Sequence, residues 1–343
     1  MDAPDIHIRS VGTALPGPPV DNAAVGRRFG MDALWEQWVD AFVGTRSRHL
    51  AVDLESGERR HSLVDMGEQA ARRALEAAGV DAASVDLMVF ATATPDVLMP
   101  ASVNLVADRL GIDDVPTYQL QSGCSGAFQA LDVAYKMLLT GLHRTALVIG
   151  ADTCAKHLDL SADLRSLPPT EMVNFMLFGD GAGAIVLSTE PTPGSVRLHR
   201  VLNRLTGLGR APAQTIEWFG TADRHEKRPS SSEDYKAIEE SVPVMAVEIL
   251  QELLEDLDWQ ESDVDYLLPP QLSGQMTAKI VAELGMVDAQ EVSCVRETGN
   301  NGNALPFLQL ERLLPRMVQG DRALGIAIES SKWIKAGFAL EKV

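Results

Sequence analysis

Cysteine is scarce in this chain. Three cysteines in 343 residues are too few for a disulfide framework, so a reduced, cytoplasmic protein is the expectation. Long apolar runs are also lacking: none reaches the roughly 18 residues that a membrane-spanning helix needs. The opening MDAPDIHIRS has no basic flank leading into an apolar stretch, which argues against a secretory signal. Basic residues are outnumbered, 30 Lys and Arg against 48 Asp and Glu, for a formal net charge of -18. Such a balance repels phosphate backbones, so neither nucleic acid nor membrane is expected as a partner. An acidic carrier protein would have to find a local basic patch. What the chain does have is apolar residues, 45% of the total, ample for two ordinary domains or for one duplicated domain.

The chain repeats itself. SLVDMGEQAARRALEAAGVDAASVDLMVFATAT, from Ser62, parallels SVPVMAVEILQELLEDLDWQESDVDYLLPPQLS, from Ser241. Both copies place Met four residues after the Ser and Val-Asp at one offset (Val85-Asp86, Val264-Asp265). Each reads as an amphipathic helix, a polar turn and a short buried strand. Met245, Ile249 and Leu253 recur at the i, i+4 spacing of one helix face. A second pair follows: a helix over Gly126–Gly141 with the strand Ala146–Ile149, and a helix over Asn303–Gly320 with the strand Ala323–Ile328. Helices alternating with continuous apolar strands predict α/β layers covered on both faces. Two matched pairs in one order are hard to ascribe to chance. They predict two pseudo-symmetric halves, residues 1–190 and 191–343, dividing in the turn-rich TEPTPGS stretch. Residues 155–175 and 203–237 lie outside the repeat. They read either as excursions over a substrate entrance or as inert surface loops.

Gln121-Ser122-Gly123-Cys124-Ser125-Gly126-Ala127 sits between a predicted strand ending at Leu120 and a predicted helix. Two glycines flanking a cysteine permit a tight backbone there. A thiol at a helix N-terminus is expected to have a lowered pKa, and the turn's N–H groups can hold an oxyanion. Cys124 is therefore a candidate nucleophile carrying an acyl thioester, weighed against a buried, inert cysteine. Cys154 and Cys294 lack this setting and read as packing residues. Phe178-Gly179-Asp180-Gly181-Ala182-Gly183 leads into a strand and not a helix, so a dinucleotide-binding role fails; its glycines more naturally allow close backbone approach. Glu297-Thr298-Gly299-Asn300-Asn301-Gly302-Asn303 precedes the last long helix, at the position that the repeat equates with the Cys124 turn. Asn300 could then donate to a thioester carbonyl or enolate; taken alone, the motif is a capped Asn/Gly turn.

With these residues in view, nearly the whole chain resembles the ketoacyl-ACP synthase III group of the thiolase superfamily. The resemblance runs from Val11-Gly12-Thr13-Ala14-Leu15-Pro16 through Gly44-Thr45-Arg46-Ser47-Arg48-His49 and the Cys124 turn to the Phe178–Leu187 and Gly299-Asn300 segments. It implies the thiolase-like fold, five αβαβα layers in two similar halves, usually as a homodimer. It also implies that Met99 reaches across the dimer into the partner's acyl pocket and that Trp38 stacks on a coenzyme A adenine. Acyl-CoA or acyl-carrier phosphopantetheine would be substrate, with no tightly bound cofactor and no metal.

The family's condensing members use Cys, His and Asn. Cys124 and Asn300 match two of these, but the segment expected to read Pro-His-Gln-Ala-Asn is Pro269-Pro270-Gln271-Leu272-Ser273. Pro270 has no titratable group and no donor. Losing half of the site that stabilises the enolate left by malonyl decarboxylation costs about 3–4 kcal/mol, two to three decades in rate. The glycine-rich oxyanion loop of the family is replaced by Glu329-Ser330-Ser331-Lys332-Trp333, where Ser330 is the candidate second donor. Phe42 and Gln275 stand where the family has arginines for coenzyme and carrier. The expected activity is therefore a KAS III-like acyltransferase of secondary, polyketide-type metabolism, passing the acyl group from Cys124 to an O-, N- or carrier-thiol acceptor. His157, Glu171 and His225 are candidate bases. A decarboxylative condensing enzyme that lacks the usual His is the first alternative, and a non-catalytic subunit of a heterodimer the second.

Overall fold

The computed structural model describes residues 3–217, 225 and 231–343. Ten strands form one sheet. Ile6–Ala14, Leu87–Ala91, Thr117–Leu120, Thr145–Thr153 and Asp180–Ser188 make one set of five; Val196–Leu205, Tyr266–Leu268, Gln290–Glu291, Arg322–Glu329 and Ile334–Lys342 make the other. Numbered by chain order within its set, each runs 3-2-4-5-1 across the sheet. The two sets meet where their first strands pair antiparallel, with His7 opposite Arg197. In each set strand 2 pairs parallel with strands 3 and 4, and strand 5 is antiparallel to strand 4.

Side-chain alternation along these strands creates the layers. Leu87, Val89 and Ala91 share a core with Ala127, Phe128 and Leu131 of helix Gly126–Leu139, whereas Met88 and Phe90 share a second core with helix Leu63–Ala78. In the other set Ala323 and Ala327 join the first core, while Leu324, Ile326 and Ile328 pack with helix Tyr235–Leu257. Helices Gly126–Leu139 and Leu305–Leu313 thus lie between two β layers, with further helices outside: the αβαβα arrangement. Such positions are wholly buried, each apolar side chain contributing about 1.5–3 kcal/mol.

Element ends differ from the sequence expectation in informative ways. Ser62 caps its helix through the Asp65 N–H in a capping box. Its repeat partner Ser241 does not: helix Tyr235–Leu257 starts earlier, capped by Asp234, and the Ser241 hydroxyl accepts from Arg210. The last long helix, expected over Asn303–Gly320, covers only Leu305–Leu313, because Pro315 cannot continue it. In the excursion at 155–175, Leu164 and Phe175 pack, together with the following Met176, against Val25, Trp35, Val39 and Val43 in a separate small core. In the excursion at 203–237, Gln214–Ile216 pairs with Ser231–Glu233. Among the described residues no helix is long and apolar enough to cross a membrane.

Candidate active site

Cys124 lies in a single 3-10 turn, Gly123–Ser125, between the strand Thr117–Leu120 and the helix that opens at Gly126. Gly123 has φ +49°, and a Cβ there would run into the carboxyl group of Glu329; only glycine allows this approach. The Cys124 N–H donates to Glu329 Oε2, and the Ser331 N–H donates to Glu329 Oε1 at 2.6 Å. The side chain of Glu329 is buried, 1% exposed. Two expectations change here. The loop after Glu329 does come to the thiol, yet the N–H expected to receive a thioester oxyanion already holds a carboxylate. The thiol is also not lowered toward thiolate: burial pushes its pKa well above the ordinary cysteine value, and the charges of Glu329, Asp152 and Glu233 push the same way. The helix-start dipole is outweighed first by burial and then by the nearby carboxylates.

Asn300 is set opposite by a crossing of main chains. Its N–H donates to Leu177 O at 2.8 Å, and the Gly179 N–H donates to Asn300 O at 3.1 Å. The glycine-rich stretch before strand Asp180–Ser188 therefore does not cradle phosphate; it lets the Asn300 turn lie against it. Asn300 Oδ1 accepts from the Gly302 N–H at 3.0 Å, which leaves the amide hydrogens as donors.

Cys124 and Asn300 line two adjoining compartments that share Leu272 and Ile328. The first, about 370 Å³, is walled by Pro269, Pro270, Gln271 and Gln309. Gln271 Oε1 accepts from the N–H groups of Cys294 (2.5 Å) and Val295 (2.8 Å), and its buried Nε2 has no partner among the described residues. The second, about 440 Å³, is walled by Gln214, Glu233, Tyr235 and Ser330. Gln214 Nε2 donates to Glu233 Oε1 at 2.7 Å, and the Tyr235 hydroxyl donates to Asn174 Oδ1 at 2.8 Å. Burial and the Glu233 charge push the Tyr235 phenol up, so it stays protonated. Among the described residues no histidine lines either compartment.

The remaining sequence candidates lie elsewhere. Trp38 and Phe42 stack on each other with centroids 5.9 Å apart, outside both compartments, and Phe42 is 70% exposed. Gln275 Nε2 donates to Ala41 O at 2.8 Å, tying its helix to that segment. Met99 is 86% exposed. His157, Glu171 and His225 are surface residues and line neither compartment. Cys294 is a core residue, and Cys154 is half-buried.

Three residues at the site carried little signal in the sequence. Buried Asp152 accepts from Thr92 Oγ1, the Ala93 N–H and Thr94 Oγ1, and from both the N–H and Nδ2 of Asn303 at 2.8 Å. Asn303 Oδ1 in turn accepts from the Ala127 N–H at 2.7 Å. One side chain thus joins the start of the Cys124 helix to the turn bearing Asn300. The repeat, which equated the two turns, was the clue for Asn303. Asp152 sits in an ordinary apolar strand, and Glu329 was visible only as a departure from glycine.

A duplicated 3-2-4-5-1 sheet with two central helices, each led in by a tight turn, defines a thiolase-like condensing enzyme fold. The family model for 3-oxoacyl-[acyl-carrier-protein] synthase III matches residues 118–203, which include the Cys124 turn. The β-ketoacyl-[acyl-carrier-protein] synthase III of Sphingopyxis alaskensis is 31% identical over 304 residues, 89% of this chain and 88% of that protein. The one from Neisseria meningitidis serogroup B is 29% identical over 335 residues, 97% and 96% of the two chains. Among solved structures, AbyA1, described as a tetronic acid condensing enzyme, is 62% identical with a TM-score of 0.95, over 98% of this chain and 99% of that one. The priming β-ketosynthase of the R1128 polyketide pathway is 27% identical with a TM-score of 0.82, over 99% and 97%. The chain belongs to the β-ketoacyl-[acyl-carrier-protein] synthase III family and is an enzyme of that condensing, acyl-transferring type.

Proposed function

We propose that Cys124 accepts an acyl group from an acyl-carrier or acyl-CoA thioester and passes it to a carbon acceptor without decarboxylation, in a polyketide-type pathway. The observation that carries this reading is the pairing of Cys124 with Asn300 on one cavity whose facing wall is Pro270. A malonyl-type extender must lose carbon dioxide to become a nucleophile, and its enolate then needs two donors. A carbon already flanked by two carbonyl groups ionises without that loss, and its charge is spread over two oxygens. The Asn300 amide and the unpartnered Gln271 Nε2 are donors enough for such an acceptor.

Ring chemistry gives the reading a product class. A tetronic acid is a five-membered lactone with an enolic carbon. Cutting its ring at the C–C bond beside that carbon and at the lactone ester leaves an α-hydroxyacyl group and an acidic methylene whose carboxyl is held as a carrier thioester. C-acylation from Cys124, followed by attack of the hydroxyl on that thioester, closes the ring and releases the carrier thiol. The likeness to AbyA1 supports this assignment, and so do the polar walls of the second compartment, Gln214, Glu233 and Tyr235. The acyl transfer expected from the sequence thus takes a carbon acceptor first and an oxygen acceptor second. The protein acts as a homodimer in this proposal, with Met99 at the partner.

Incubation with acyl-carrier thioesters followed by intact-mass measurement is expected to show a covalent adduct that Cys124→Ala abolishes. A malonyl-carrier should release no carbon dioxide from the loaded enzyme. Rapid release would favour decarboxylative condensation instead, and absence of any adduct across acyl donors would favour a non-catalytic subunit.

A further inference from the structure

The cavity wall that Cys124 and Asn300 share with Pro270 offers no titratable group at that proline, yet Cys124 has an ionisable neighbour in Glu329. We infer that Glu329 is the general base of this enzyme and that its protonation opens the oxyanion site. The inference rests on the proposed acyl loading of Cys124.

Glu329 is a carboxylate buried to 1% exposure. Among the described residues no lysine or arginine pairs with it; Lys332, three residues on, turns away to Arg210 O at 2.6 Å. Its hydrogen-bond partners are two backbone N–H groups, of Cys124 and Ser331, the first belonging to the residue that carries the thiol. Burying such a group without a cation is unfavourable, and Gly123 is required to make room for it. A neutral glutamine would accept from the same two N–H groups without a buried charge. The other titratable groups whose charge reaches the thiol are Asp152, Glu233 and Cys154, and Asp152 is already occupied by five donors. Among the described residues, Glu329 is the ionisable group that is hydrogen-bonded to the backbone of Cys124.

The steps balance. In loading, the proton on Cys124 Sγ passes to Glu329 as sulfur attacks the donor carbonyl; the carrier sulfur leaves and takes that proton. In transfer, the acceptor C–H gives its proton to Glu329 as the new carbon–carbon bond forms; Cys124 sulfur leaves and recovers the proton. No oxidant or co-reactant is needed. The neutral acid is a weaker acceptor than the carboxylate, so the Cys124 and Ser331 N–H groups are released when the thiolate forms. They are then free for the oxyanion. One proton transfer thus generates the nucleophile and vacates the site that stabilises its product.

The test is the single-turnover rate of acyl loading against pH, read by quenched intact mass on the full-length enzyme with an acyl-carrier thioester. Glu329→Gln keeps the shape and removes the base. It is expected to load at least a hundredfold more slowly than wild type at neutral pH, with a rate that climbs tenfold per pH unit as hydroxide takes over. Glu329→Asp, one methylene shorter, should load about tenfold slower while keeping the wild-type pH profile. Loading by E329Q within threefold of wild type, with an unchanged profile, would overturn the inference, and so would faster loading, which would mark Glu329 as a plug. If E329Q does not fold, wild-type kinetics in E329D would overturn it equally. Failure of the wild type itself to form an adduct would instead refute the proposed loading.

Discussion

At the scale of single residues, the proposed roles of Glu329 and Asn300 can be told apart by experiment. Cys124 and Glu329 touch one another, whereas Asn300 faces the same cavity from the other half of the fold. Asn300→Ala should therefore leave adduct formation within a few-fold of wild type while steady-state product formation falls about 10²–10³-fold, the usual cost of one oxyanion donor. A comparable drop in the loading step would show that Asn300 serves the donor thioester instead. Cys124 and Asn300 could be picked out by eye because each sits in a short Gly-rich motif at a strand-to-helix turn. Glu329 could not, because its contact with Cys124 spans 205 positions of sequence. The sign of the thiol's pKa shift was misjudged for the same reason: the helix start is local information and the carboxylate is not.

At the scale of elements, the two central helices are held in register by polar atoms as well as by packing. Asn303 bonds to Asp152 in the core and to the Ala127 N–H at the head of the other helix, 176 positions away. Asn303→Ala would strand a buried carboxylate short of a donor and free the Ala127 N–H. The expected loss is about 3 kcal/mol in urea unfolding, with slower acyl loading because the Cys124 turn loses its anchor. A variant as stable as wild type would mean that water replaces the amide. Gly183 belongs to the same interface. A Cβ there would press on the Phe307 ring, which is why a strand in the core carries so small a residue. The layer order was legible from alternation and from the repeat. The lengths were not, since Asp234 and Pro315 set helix ends that the repeat misaligned.

At the scale of the whole molecule, stability should depend on pH through buried carboxylates. Asp180 is fully buried, and burial pushes its pKa up to about 6 despite N–H bonds from Ala51 (2.6 Å) and Ala155 (2.9 Å). The native state then holds a proton that the unfolded chain, titrating near 3.8, has lost. The associated stability is present below about pH 4 and is lost as pH rises through about 6, a change of about 3 kcal/mol. Urea midpoints across this range should fall with pH more steeply for wild type than for Asp180→Asn; parallel curves would argue against it. Assembly offers a second test. Leu98 and Met99 are 63% and 86% exposed on one loop, a pairing that proteins rarely leave uncovered. Met99→Glu is expected to shift the mass measured by light scattering from dimer to monomer; a monomeric wild type would remove Met99 from the acyl pocket.

The sequence by itself determined what is periodic or local: α/β layers from alternating apolar strands and amphipathic helices, duplication from a repeated motif, and a candidate nucleophile from a glycine-flanked turn. These follow from spacings of two to four residues along one chain. Only the tertiary structure decided what surrounds the nucleophile. Folding the two halves against each other brings Glu329 to Cys124 and Asn303 to Asp152, and leaves Pro270 facing both Cys124 and Asn300. Charge and burial act through space and not along the chain, so the chemistry of the thiol became readable only when its distant neighbours were in place.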